Sequence, residues 1–256
     1  RILDTTWDEA TFRRGASNAV QTDLAKAECS GDWLFYLQAD EVVHEQYLPV
    51  IAERCRALQG DGRVEGLLFR YRHFWGDYRH YLDSHAWYAR EIRIVRNLPA
   101  IHSWHSAQSF RFFDRYEHPW QERGTRKLTV AAVAAEIFHY GWVRPPHLMQ
   151  RKNRALREVH AGREAAARQY DGAAAGFDYG PLNRLPVYDG THPAVMQAFI
   201  EQFDWQHELR YTGGYAPGTE RPRHARLKYR VLTLIEKWLC GGEQLFASHN
   251  YRLLRV

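Results

Sequence analysis

The sequence predicts an α/β fold, a mostly parallel sheet flanked by helices and followed by a mainly helical C-terminal extension. Three observations carry this. An unbroken apolar run, Trp33–Leu37 (WLFYL), lies between two segments of helical periodicity, as expected of a strand covered on both faces. Further strand-like runs follow at Val64–His73 (VEGLLFRYRH), Glu91–Arg96 (EIRIVR) and Leu128–Tyr140 (LTVAAVAAEIFHY). Beyond Pro145-Pro146 the chain turns charged and helix-favouring, which sets the expected boundary between a main domain at 1–145 and an extension at 146–256 packed on it. At 256 residues the chain is long enough to bury a sizeable core.

Taken in order, Ile2-Leu3 reads as a strand end and Asp4–Trp7 as a loop. Ser17 or Asn18 can cap a helix that runs to about Cys29, with Ala19, Val20, Leu24 and Ala27 at helical spacing, and Gly31 stops it. Trp33–Leu37 is read as a central strand and Gln38–Glu41 as the turn after it. Glu45–Leu58 is a second amphipathic helix whose Leu48, Ile51, Ala52 and Cys55 share a face. Gly60-Asp61-Gly62 turns the chain into the next strand, and Arg123-Gly124 opens the turn before Leu128–Tyr140. A long charged helix is expected over His147–Gln169, a loop over Gly172–Gly190 and a short helix over Pro193–Phe203. His224–Leu239 (HARLKYRVLTLIEKWL) is a basic amphipathic helix. Its apolar side is read as docking on the main domain, with peripheral contact to an acidic membrane surface as the alternative.

Composition narrows the classes. No apolar segment approaches the roughly 20 residues needed to span a bilayer, and the N-terminus has no secretory pattern, so a cytoplasmic protein is expected. Opening on Arg1-Ile2-Leu3 rather than Met suggests an N-terminally incomplete sequence. Three widely spaced cysteines without a CxxC pair argue against a disulfide framework or a zinc knuckle. The net charge of +5 suits anionic partners, while nine Trp and fifteen Tyr suit a site that stacks on flat rings or sugar faces.

The abrupt change from WLFYL to Gln38-Ala39-Asp40-Glu41 puts two carboxylates at the rim of the sheet, where ligands of open α/β sheets bind. With the preceding helix, the stretch SNAVQTDLAKAECSGDWLFYLQADEVV resembles the family 2 glycosyltransferase pattern of helix, Gly-Asp, apolar strand and Asp-x-Asp turn. The resemblance covers roughly residues 1 to 150 and implies a GT-A fold with its first strands missing. It implies transfer of a sugar from a nucleoside-diphosphate donor to an unidentified glycan, lipid or protein acceptor, with inversion at the anomeric carbon. It also implies a divalent cation, Mn²⁺ or Mg²⁺, gripping the donor diphosphate. By this resemblance the metal ligands are Asp40, with Glu41 beside it, and His139 at the end of a late strand. Gln38 stands where the motif usually has its first Asp, and an amide oxygen is the weaker ligand. Arg144 is expected to pair with the diphosphate, and Arg13 and Asn18 to help hold the nucleotide.

A carboxylate base is expected after the strand matching EIRIVR, yet Asn97–Phe110 holds no Asp or Glu. Asp83 and His105 are the substitutes chosen, with Glu91 also upstream. Two other readings follow from the residues. Loss of the first motif acid and of a loop carboxylate would suit a catalytically inactive GT-A-like binding protein, and fourteen His would suit a metal-dependent hydrolase, although no HExxH is present. Nucleic acid is not expected as a partner, because acids and bases alternate along the chain instead of forming one basic stripe.

Overall fold

The computed structural model describes residues 1–7, 15–106, 109–172, 176–215, 221–241, 244 and 249–256. Helix α1 (Ala16–Ala27) starts after Gly15, whose φ of 71° suits a residue without a side chain. It leads to strand β1 (Trp33–Phe35), and the turn at Gln38–Asp40 to β2 (Glu41–Val43). A short 3₁₀ turn then opens α2 (Leu48–Ala57), with Pro49 in its first turn, where a missing N–H costs nothing. Only Ile51 of α2 is buried, so the apolar face expected there is narrower than read: Leu48 and Ala52 are exposed.

The sheet continues through β3 (Gly66–Trp75), β4 (Tyr81–Leu82), β5 (Arg90–Arg96), β6 (Ile101–Trp104), β7 (Ser109–Phe113) and β8 (Thr125–Trp142). After helices α3 (Pro146–Ala161), α4 (Arg163–Tyr170), α5 (Gln197–Glu201) and α6 (Leu227–Leu239), strand β9 (Tyr251–Leu254) returns to it. The strand order is β1-β5-β3-β8-β7-β6, with β2 and β9 also on β8 and β4 on β3.

Four expectations are corrected here. The sheet is mixed and largely antiparallel: only β3–β8 and β8–β9 run parallel. The reason is loop length, since β6 and β7 are joined by four residues, too few for the crossover a parallel pair requires. Trp33–Leu37 is not central either. Its first three residues pair antiparallel with β5 at the end of the strand order, leaving Phe35 and Leu37 exposed. Ile2-Leu3 forms no strand, and the single helix expected over His147–Gln169 is broken at Gly162, which has φ 87°.

The spine is β8, pairing β3 along one edge and β7, β9 and β2 over successive stretches. Its alanines let neighbouring layers close in, and Val133, Ala135 and Ile137 join Ile51, Leu67 and Phe69 in one core. A second core joins Phe74, Trp75, Phe138 and Tyr140 to Met149, Leu182, Met196 and Trp205 from beyond residue 145. Together with β9 in the main sheet, this means that 146–256 supplies core and a strand as well as helices. Among the described residues no helix is long and apolar enough to cross a membrane.

The last helix is oriented opposite to expectation. α6 meets the body through polar groups: Thr233 Oγ1 accepts from the His85 amide at 2.9 Å, Glu236 meets His85 Nδ1 at 2.5 Å, and Lys237 meets Asp83 at 2.7 Å. Its apolar arc therefore faces outward.

Candidate active site

The turn before β2 is held from behind. Glu41 is fully buried and accepts from Arg93 at 2.8 and 2.7 Å, from the Tyr71 hydroxyl at 2.9 Å and from the Gln38 amide at 3.1 Å. A buried carboxylate needs such partners to stay ionised. Both its oxygens are engaged, so Glu41 anchors the turn and Asp40 alone of the two carboxylates faces the cleft.

Antiparallel pairing sets Glu41 opposite His139, and the Tyr140 amide donates to the Asp40 carbonyl at 2.8 Å. This brings His139 Nε2 to 3.8 Å from Asp40 Oδ1. Immediately beyond, β8 carries one more residue than β3, because His73 pairs with His139 but Trp75 pairs with Trp142. Gly141 lies in that bulge. A Cβ there would stand 2.5 Å from Asp40 Oδ2 and 2.6 Å from His139 Nε2. The glycine thus lets Asp40 and His139 close in on the backbone of β8, an approach that any side chain would obstruct.

The hydrogen bonds of His73 fix the tautomer of His139. His73 Nε2 lies 2.8 Å from the Tyr88 carbonyl, which can only accept, so that nitrogen carries the hydrogen. In a neutral ring His73 Nδ1 then accepts, and its partner at 3.0 Å, His139 Nδ1, must donate. The lone pair of His139 is therefore on Nε2, turned toward Asp40. Burial keeps both rings neutral: it pushes His73 down to about 3, with His139 adding to the effect, and lowers His139 despite the nearby Asp40 carboxylate.

Asp40 has a resident counter-charge. Lys152 Nζ on α3 lies 2.7 Å from Oδ2 and donates to the Gly141 carbonyl at 2.8 Å. Burial acts to raise the Asp40 pKa, but the charge and hydrogen bond of Lys152 act against it, and the carboxyl is held below its ordinary value. Lys152 also borders an open depression of about 490 Å³ with Arg144, Arg151 and Arg154, the last paired with Asp171 and Glu158.

Two lone-pair-bearing side chains 3.8 Å apart suit a hard divalent cation that takes one or two protein ligands and completes its shell with phosphate oxygens. Among the described residues no group of three or more His, Cys, Asp or Glu is placed to hold a metal alone. The donor set fits Mn²⁺ or Mg²⁺ only as a two-residue site, Asp40 with His139.

The remaining expected residues are dispersed. Arg144 is on the basic rim, Gln38 contributes its backbone amide to Glu41, and Asn18 is in the first turn of α1. Arg13 lies outside the described residues. Asp83 pairs with Lys237 of α6 and shares with Glu91 the lining of a cavity of about 560 Å³, and His105, at φ 57°, stacks on Trp104 and lies 3.5 Å from Glu122.

A different carboxylate has the properties of a base. Glu91 on β5 lines a cavity of about 560 Å³ together with Tyr71, Tyr81, Trp87 and Tyr88. Its Oε2 is enclosed and has no hydrogen-bond partner, and burial, only partly offset by Arg93, raises its pKa to about 7.

Lys152, His73, Gly141 and Arg93 escaped sequence reasoning. A glycine two residues after a strand-ending His signals a bulge and was legible in principle. Nothing marks Lys152 out from the other charges of α3, and Arg93 reads as one polar position of an alternating strand. A scan against protein-family models matches none of them, and no curated protein matches the chain.

Proposed function

We propose that this chain is the catalytic part of a divalent-metal-dependent glycosyltransferase of GT-A type, which takes a sugar from a nucleoside-diphosphate donor with inversion. The observation that carries the reading is the approach of Asp40 to the His139 Nε2 lone pair, 3.8 Å apart beside the Gly141 backbone. The motif resemblance around Asp40 supports it independently. A bound Mn²⁺ or Mg²⁺ would stabilise the charge that grows on the departing diphosphate.

Within this reading the residues have separate tasks. Asp40 and His139 would hold the cation, and Arg93 through Glu41 keeps the Asp40 turn in place. Lys152, Arg144 and Arg151 draw the diphosphate to the rim by charge, which suits a chain of net charge +5. Glu91 takes the proton of the acceptor hydroxyl, since a carboxylate poised near neutrality can both accept and release a proton at working pH. The aromatic side chains around that cavity give flat faces for a sugar.

A second reading has one observation in its favour. Lys152 already neutralises Asp40 at 2.7 Å, which suits a protein that binds nucleotide diphosphate without turnover.

The test is donor hydrolysis and transfer across nucleotide sugars, with Mn²⁺, with Mg²⁺ and with chelator. Asp40→Asn keeps shape and removes charge, so turnover is expected to fall by roughly 10²-fold or more with thermal stability nearly unchanged. Activity indifferent to both chelator and Asp40→Asn overturns the metal mechanism. Nucleotide binding without turnover of any donor favours the second reading.

A further inference from the structure

α6 has its polar side inward and its apolar side outward. Leu227, Val231, Leu234, Ile235 and Trp238 recur three and four residues apart and fall on one arc of the helix. All five are exposed, Leu227 to 73% and Trp238 to 83%, and Leu239 at the end is 80% exposed. The opposite side carries the attachment, through Thr233, Glu236 and Lys237. Folding into the body therefore leaves this apolar arc on the surface. A contiguous apolar patch of this kind marks a docking surface.

The charges around the arc identify the occupant. Lys228 and Arg230 are exposed and lie on either flank of the apolar arc, and Arg221, Arg223 and Arg226 precede the helix. Among the described residues, the acidic side chains of this region are already engaged: Glu236 is buried against His85, and the exposed Asp83 is paired with Lys237. The outward face is thus apolar at its centre and cationic at its edges. Long basic side chains can reach headgroup phosphates while the centre sinks among acyl chains. A water-soluble protein partner would need a matching apolar face with an acidic border, whereas an anionic bilayer supplies both features at any point of its surface.

We propose that α6 is an interfacial helix that seats this protein peripherally on anionic lipid, lying in the plane of the membrane surface. The seat is independent of the sugar-transfer reading, because it uses none of the residues at the Asp40 cleft. Its attachment through polar contacts to the segment after β4 keeps the helix fixed to the body, so the molecule docks in one orientation.

The experiment is co-sedimentation of the full chain with vesicles of phosphatidylcholine alone and with about 30 mol % phosphatidylglycerol added, at low and high salt. Binding is expected only to the anionic vesicles and should weaken with salt. Leu234→Ser with Trp238→Ser, and separately Lys228→Glu with Arg230→Glu, should each reduce partitioning roughly tenfold or more. All four positions are exposed, so circular dichroism and melting temperature should match the parent. No binding to anionic vesicles, or equal binding by both variants, overturns the proposal. So does a dimer in sedimentation velocity that Trp238→Ser dissolves in a protein that ignores vesicles, which assigns the face to a second copy of the chain.

Discussion

At the scale of single residues, the Asp40 cleft depends on a histidine that never reaches it. His73 is buried between Tyr71, Trp87 and Tyr88 and fixes the His139 tautomer through one hydrogen bond. Partners of this kind behind a ligating imidazole commonly govern metal affinity by 10- to 100-fold, as an order of magnitude. His73→Phe keeps an aromatic ring in the same packing but gives His139 Nδ1 nothing to donate to. Mn²⁺ affinity, followed by electron paramagnetic resonance, is expected to fall by about tenfold or more. Stability should drop by about 1–3 kcal/mol for the hydrogen-bonding groups left unpaired. In the parent protein, ¹⁵N spectra of the imidazoles should show His139 protonated on Nδ1; a proton on Nε2 would refute the tautomer and the lone pair with it.

At the scale of elements, the bulge in β8 does what a regular strand cannot. Regular pairing beyond His139 would keep β3 and β8 in step, whereas the extra residue lets Gly141 sit against Asp40 and turn its carbonyl to Lys152. Gly141 does not have positive φ, so alanine is compatible with its backbone and the conflict is one of space alone. The atoms met first are side-chain ends of Asp40 and His139, held by Lys152 and His73, so one of those contacts must give way. Gly141→Ala is therefore expected to fold with stability lowered by about 1–3 kcal/mol. The same substitution should weaken Mn²⁺ binding at least roughly tenfold by parting Asp40 from His139, and titration of the metal on the folded variant decides it. Unchanged affinity would mean that this pair is no ligand site.

At the scale of the whole molecule, residues from both sides of Pro145 share one core, and β9 closes onto β8. This core also buries His224, which packs edge-on against Trp75 and has Nδ1 without a partner. Burial lowers its pKa to about 4. The unfolded chain binds that proton near pH 6.5 and the folded chain does not, so the contribution to stability is present above 6.5 and is lost as pH falls toward 4. Between pH 7.5 and pH 5 His224 alone should cost about 2 kcal/mol. His73 acts in the same direction, while Glu91, raised to about 7, acts in the opposite one between its unfolded value and 7. His224→Phe should shrink the difference between denaturation free energies measured at pH 7.5 and pH 5. An unchanged difference would show that His224 is not a buried neutral ring.

The sequence by itself determined most of the elements. α1, α2, β3, β5, β8 and α6 lie close to where periodicity, apolar runs and glycine stops set them, since those signals are local and act within a few residues. The motif resemblance named Asp40 and His139 together, and the structure sets them 3.8 Å apart. Tertiary structure decided the rest. Strand direction depends on which distant segments meet, so the antiparallel edge position of β1 could not be read from the apolar run of Trp33–Leu37. Glu41 and Asp40 are adjacent and chemically alike, yet Arg93, more than fifty residues later, takes one inward and leaves the other to the cleft. Helical periodicity showed that α6 has an apolar side, but periodicity is blind to rotation about the helix axis. Hydrogen bonds and ion pairs from His85 and Asp83 set that rotation, turning the polar side to the body and the apolar side to the outside.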